Sequence, residues 1–294
     1  MDLEPRTTAR ARGLFLGYLV LAAALFHRTI AELIALSRGD DHYSHMVLVP
    51  LICLYLMRTD RVTAPAGAKR GWGQGCVLLL IAALAAAGTR LFGASLQARD
   101  ATALNAFAFV TALLAGYSLC FGPARLRCFL FPLLFLYFLV PMPLAVEQAV
   151  TTFFQHWSGL ATDALLQLTG TPVYRTGMVL QLPGLSIEVA EECSGIRSSF
   201  VLFMTSLLAA HMFLKSPWRK AVLVASFVPI AILRNATRIT TISLMTIHVN
   251  PDMIYGPLHR QGGTPFFVLS LVPLFIILWL LRRSERKLKP PPVS

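Results

Sequence analysis

The chain has 294 residues, of which 56% are hydrophobic and only 14% charged, with a formal net charge of +12. Its apolar residues fall into runs long enough to cross about 30 Å of hydrocarbon, which excludes a water-soluble globular enzyme and leaves no aqueous domain of useful size. The composition reads as an all-α polytopic membrane protein: one integral domain over residues 1–294, a bundle of about eight transmembrane helices.

In chain order, the first span is expected over 13–36. Arg6, Arg10 and Arg12 precede it, and no small-residue cleavage site follows a short apolar core, so it reads as a retained span and not a removed signal peptide. The segment Asp40-Asp41-His42-Tyr43-Ser44-His45 leads into a short second span, 43–58. His42 and His45 have the spacing of two metal ligands on one helical turn, but no third outer ligand is evident. A structural or substrate-supporting role for His45 is favoured, and neither a metal nor another cofactor is expected. Spans over 71–89, 101–121 and 128–144 follow, with stretches such as 77–87 and 129–140 apolar nearly all round. Pro141 and Pro143 end or kink the fifth.

Residues from about 145 to 192 form the only sizeable extramembrane stretch, on the outer face. Residues 146–168 mix apolar and polar side chains, with Phe153, Phe154 and Trp157, as in an amphipathic interfacial helix. Residues 173–182 and 185–189 read as strands broken by Gly177 and by Pro183-Gly184. The expectation is a small helix/β-hairpin insertion that delivers the turn Glu191-Glu192-Cys193-Ser194-Gly195-Ile196-Arg197 to the head of the sixth span, 195–214. An extended substrate adding to the edge of this sheet is one possibility it opens.

Cys193 is the only cysteine expected on the outer side; Cys53 and Cys76 sit in apolar spans, and Cys120 and Cys128 flank a short cytoplasmic loop. A thiol at a helix amino terminus meets the positive end of the helix dipole, which favours the reactive thiolate. Glu191 and Glu192 oppose ionisation, and Arg197, one turn on, is the local cation, with a snorkelling surface arginine as its bland reading.

The seventh span, 220–247, carries Arg234-Asn235-Ala236-Thr237-Arg238-Ile239 after a bend expected at Pro229. The two arginines are four residues apart and share a helix face, and such charges in a span face a wet cavity or a partner. At about 1.5 Å per residue from the cytoplasmic end, Arg238 reaches the outer half of the bilayer, level with Cys193. His259 lies in the last outer loop, before a final span over 264–281, and a basic, proline-rich tail from about 284 to 294 is expected to be disordered.

Charge asymmetry gives the topology. The loops holding Arg58, Arg61, Lys69 and Arg70, then Arg125 and Arg127, then Lys215, Arg219 and Lys220, and finally Arg282, Arg283, Arg286, Lys287 and Lys289 alternate with acid-richer ones. Both termini are therefore expected in the cytoplasm of a cell with the protein in its plasma (inner) membrane, and Cys193, Arg238 and His259 at the opposite, outer face. The net charge is a topology signal and not one for nucleic acid, and no nucleic-acid partner is expected.

The ordered motifs Glu191-Glu192-Cys193-Ser194-Gly195-Ile196-Arg197, Arg234-Asn235-Ala236-Thr237-Arg238-Ile239 and the loop His259 resemble the cysteine, arginine and histidine motifs of the exosortase/archaeosortase family. The early segment from Asp41 to Pro50 resembles that family's amino-terminal signature, with Met46 where a glycine is more usual. The resemblance implies a membrane cysteine transpeptidase that processes carboxy-terminal sorting signals of exported proteins: a short motif (Pro-Glu-Pro in the bacterial branch), a transmembrane helix and a basic tail. It implies Cys193 as nucleophile, Arg238 at the oxyanion and His259 as acid and base. Arg234, Glu191, Glu192, Arg197 and His45 are then supporting or substrate-binding residues, and the partners are exported substrates, membrane lipids and an unidentified acceptor nucleophile.

Two rival readings use the same residues. A transporter for an anionic substrate would place Arg234 and Arg238 in a broken helix and leave Cys193 incidental. A membrane acyltransferase would use Cys193 or His259 on a lipid-linked donor. No internal repeat, phosphate-binding glycine loop or Gly-x-Ser-x-Gly elbow is present.

Overall fold

A computed structural model describes residues 4–59, 72–93, 95–188, 195–252 and 263–287. The chain is a multi-pass, almost entirely helical membrane protein that divides into two compact units, Met1–Val146 and Glu147–Ser294.

In the first unit, α1 (Glu4–Leu25) and α2 (His27–Gly39) are separated at Phe26, with a bend of 75° between Ala9–Leu25 and His27–Gly39. A 3₁₀ segment, Asp41–Val47, then leads into α3 (Leu48–Thr59). The side chain of Asp40 starts that segment by accepting from the His42 amide at 2.8 Å. Beyond it come α4 (Trp72–Phe92), α5 (Ala98–Phe121), the short α6 (Pro123–Cys128) and α7 (Leu130–Phe135), and a second 3₁₀ turn, Leu136–Leu139.

α5 is the axis of this unit. Its buried positions include Ala103, Ala106, Ala108, Ala112, Ala115 and Gly116, small side chains that let neighbouring backbones approach. Tyr18 of α1 lies against Gly116 in the space a Cβ would take, and its hydroxyl donates to the Ala112 carbonyl at 2.8 Å. Near the start of α5, Asp100 accepts from the Leu144 amide at 2.8 Å and so caps the next helix, α8 (Leu144–Leu168).

The second unit holds most of α8, a small sheet, and α9 (Ile196–Phe213), α10 (Pro217–Ala225), α11 (Phe227–His248) and α12 (Gly263–Lys287). Leu202 and Ala210 of α9, Leu223 of α10, Ala231 of α11 and Leu274 of α12 form its main apolar cluster, with Phe154 of α8. α10 and α11 are interrupted at Ser226, one turn ahead of Pro229, whose ring and missing N–H are incompatible with an uninterrupted helix through Ala225. The helical break expected from Pro229 is therefore present, displaced to the residue where the proline acts.

The strands β1 (Tyr174–Thr176), β2 (Val179–Leu182) and β3 (Leu185–Glu188) make one antiparallel sheet in the order β1-β2-β3. The registers Thr176↔Val179 and Leu182↔Leu185 leave two-residue turns at Gly177-Met178 and Pro183-Gly184. Gly177 and Gly184 supply the positive φ these turns need, 63° and 72°. The expected hairpin is thus part of a three-stranded sheet. One face of it closes a second apolar cluster, in which Leu180 and Leu182 meet Leu166 of α8 and Ile239 of α11.

Five of the described helices are long and apolar enough to cross a membrane, or up to seven spans if each bent pair counts as one, against the eight apolar runs of the sequence. The second run differs for a visible reason. Part of it winds as the 3₁₀ segment, and the 12 residues of α3 rise only about 18 Å. The fifth holds only the short α7 and a 3₁₀ turn, and the chain resumes as α8 after Pro141 and Pro143. At the carboxyl end, helix continues to Lys287, past the start of the expected tail, and Glu285 in its last turn accepts from the Ser216 amide ahead of α10.

Candidate active site

The residue at the head of α9 is Gly195, in the left-handed conformation with φ 67° and ψ 18°. Its carbonyl begins the helix by accepting from the Ser199 amide at 2.9 Å. The hydroxyls of Ser199 and Ser198 converge on the same oxygen at 2.8 and 3.1 Å. A fourth donor comes from another helix: Arg234 Nη2 of α11 reaches the Gly195 oxygen at 3.1 Å and Ser199 Oγ at 3.2 Å.

Arg234 is 8% exposed, a charge enclosed by protein in a span that would be costly in lipid. Its Nη2 is fully used, whereas Nη1 is buried with no hydrogen-bond partner among the described residues. Asn235, 1% exposed, flanks the same glycine. A Cβ at position 195 would stand 2.6 Å from Arg234 Nη2 and 3.1 Å from Asn235 Oδ1, so only glycine fits here, on steric grounds as well as by its φ.

α11 tolerates its polar content through local bonding. The hydroxyls of Thr237, Ser243 and Thr246 return to the carbonyls four residues earlier at 2.7–2.8 Å. Arg234 instead bonds across to α9. The amino end of α9, with its helix dipole, and the Arg234 guanidinium together make a site of positive potential suited to an anion.

The other expected residues fall as follows. Arg238, one turn beyond Arg234, is half-buried, and Arg197 on the first turn of α9 is exposed. His45 belongs to the first unit, where it is 8% exposed; its Nδ1 lies 3.1 Å from the His42 carbonyl oxygen and its Nε2 3.3 Å from that of Phe138. It ties the 3₁₀ segment to the turn at Leu136–Leu139. Cys193, Glu191, Glu192 and His259 lie outside the described residues. Among the described residues no three His, Cys, Asp or Glu side chains gather as a metal-binding set. Ser199 and Asn235 were not singled out from sequence. The available signal was a serine pair one turn into an otherwise apolar span, and an asparagine beside a buried arginine.

Membrane-length helices that enclose an arginine against the glycine heading a neighbouring helix define a multi-pass membrane protein with a protected cationic site. Residues 35–276 match the family model of the transmembrane exosortases, and the chain belongs to that family. No curated protein and no solved structure matches it.

Proposed function

We propose that this exosortase is a cysteine transpeptidase that cleaves the carboxy-terminal sorting signals of exported proteins through a thioester on Cys193. The observation that supports this most directly is the bond from Arg234 to Gly195. Gly195 is two residues from Cys193, and a chain of two residues spans at most about 7 Å. The thiol is therefore tethered to a point where a buried guanidinium already donates.

In the proposed reaction the Cys193 thiolate attacks the scissile carbonyl carbon, a C–S bond forms and the carbonyl electron pair moves onto oxygen. Arg234 stabilises that oxyanion with the terminal nitrogen that has no partner among the described residues. Its burial and its bond to Gly195 favour it over Arg238 for this role. Collapse of the intermediate breaks the C–N bond, and His259 protonates the departing amine. His259 then takes the proton of an acceptor nucleophile, whose attack on the thioester releases the thiolate. Glu191 and Glu192 flank the nucleophile as groups for a basic or amide-bearing part of the substrate. The distribution of lysine and arginine supports a plasma-membrane protein with both termini in the cytoplasm and the site on the outer face.

The test uses a membrane-anchored reporter ending in a Pro-Glu-Pro motif, a transmembrane helix and a basic tail. Co-expressed with the wild-type chain it is cleaved, and a denatured Cys193 adduct is recovered by mass spectrometry when the acceptor step is starved. With Cys193→Ala at equal membrane abundance, cleavage is lost. Continued cleavage by that variant rejects the reading.

A further inference from the structure

The end of the second unit opposite Gly195 on α9 carries a surface that the proposed reaction does not use. It is formed by the turn from α9 into α10 and the last turns of α12, which Glu285 joins. Its carboxylate accepts from the Ser216 amide at 2.7 Å and from the Lys215 amide at 3.1 Å, and it pairs with Arg219 at 3.7 Å. Arg219 is 5% exposed, bonds Ser284 Oγ at 3.3 Å, and keeps a buried Nε with no partner among the described residues.

Glu285 is the only acid in these segments, and its charge is taken up by those donors. Around it stand Lys215, Lys220, Arg282, Arg283 and Arg286, all exposed or half-buried. Two of these cations lie over aromatic rings and not against carboxylates. The Arg282 guanidinium is 5.5 Å from the Phe213 ring centroid and that of Arg283 is 5.3 Å from Trp279. Trp218, under Arg219 at 5.0 Å, and Trp279 are each 57% exposed. Stacking fixes the guanidinium planes while leaving their N–H edges turned to the surroundings. Exposed tryptophans beside these cations mark the depth at which hydrocarbon gives way to headgroups.

We propose that this surface binds the phosphate of an anionic phospholipid headgroup, with the acyl chains running along the exposed faces of α10 and α12 beside Trp218 and Trp279. A headgroup phosphate supplies the negative charge that Glu285 does not, and its diester oxygens match the arginine forks. A zwitterionic lipid offers the same phosphate but cancels its charge, so the site discriminates on net charge.

The full-length protein carries four tryptophans. Trp72→Phe and Trp157→Phe leave Trp218 and Trp279 as reporters, and the protein is titrated in detergent micelles with brominated-chain phosphatidylglycerol or phosphatidylcholine. Phosphatidylglycerol is expected to quench at a roughly 10-fold lower mole fraction than phosphatidylcholine. The pair Arg282→Gln and Arg283→Gln is expected to remove most of that preference, and Arg282→Lys with Arg283→Lys to keep it. Equal quenching by the two lipids overturns the proposal, as does a preference that the glutamine pair leaves intact or the lysine pair abolishes. Displacement of phosphatidylglycerol by millimolar inorganic phosphate would assign the site to the free anion and also overturn it.

Discussion

Arg234 and Gly195, 39 residues apart in sequence, meet at 3.1 Å where α11 passes the head of α9. The bond joins a buried guanidinium of α11 to the residue that heads α9. It makes the two spans a single chemical unit.

Arg234→Lys leaves a single nitrogen, which cannot both hold Gly195 and Ser199, as Nη2 does, and offer a second donor to the oxyanion, as Nη1 does in the proposed reaction. Reporter cleavage is expected to fall about 100-fold or more, within the range for losing an oxyanion donor. Arg238→Lys, at a half-buried position, is expected to stay within a few-fold of wild type. Initial rates at matched membrane abundance decide it, and a larger loss at Arg238 than at Arg234 would return the oxyanion role to Arg238.

Gly195→Ala acts through two costs. The left-handed φ disfavours a side chain by about 1–2 kcal/mol, and the new methyl group would lie 2.6 Å from Arg234 Nη2. The guanidinium must move, so cleavage is expected to be lost while α9, whose later turns are untouched, still supports accumulation in the membrane. Parallel immunoblots of membrane abundance and reporter processing separate the two effects.

The sheet rests on Leu180, which is 0% exposed and packs with Leu166 and Ile239. Leu180→Ala is expected to cost about 2–5 kcal/mol locally. Limited proteolysis should then cut near 177 or 183–184 well before the helices are affected.

In the first unit, Tyr18→Phe removes the hydroxyl bonded to Ala112 and is expected to cost about 1 kcal/mol. Gly116→Val drives a side chain into the Tyr18 ring and should be far worse, beyond about 3 kcal/mol. Thermal unfolding in detergent should rank them in that order.

How much of this could be read in advance depended on how local the cause was. The strand breaks at Gly177 and Pro183-Gly184 follow from residues that impose their own backbone angles, and they stand where sequence places them. The span that holds α3 is short in sequence too, but the 3₁₀ winding of its first part is not legible there, because hydropathy cannot distinguish an α-helix from a 3₁₀ segment held by the Asp40 side chain and by His45 between two carbonyls. Helical period puts Arg234 and Arg238 on one face but says nothing about which is covered. That is decided by Gly195 and Ser199, which belong to a different helix.

Glu285 has a further consequence for how the protein is made. The amides of Lys215 and Ser216 depend on a carboxylate 69–70 residues downstream. During synthesis the start of α10, and with it the approach to the arginine helix, therefore waits without its partner until α12 has been translated and inserted. Chains halted before residue 285 are expected to present an unfinished turn to the cell's quality-control proteases, even though the arginine helix has already been translated.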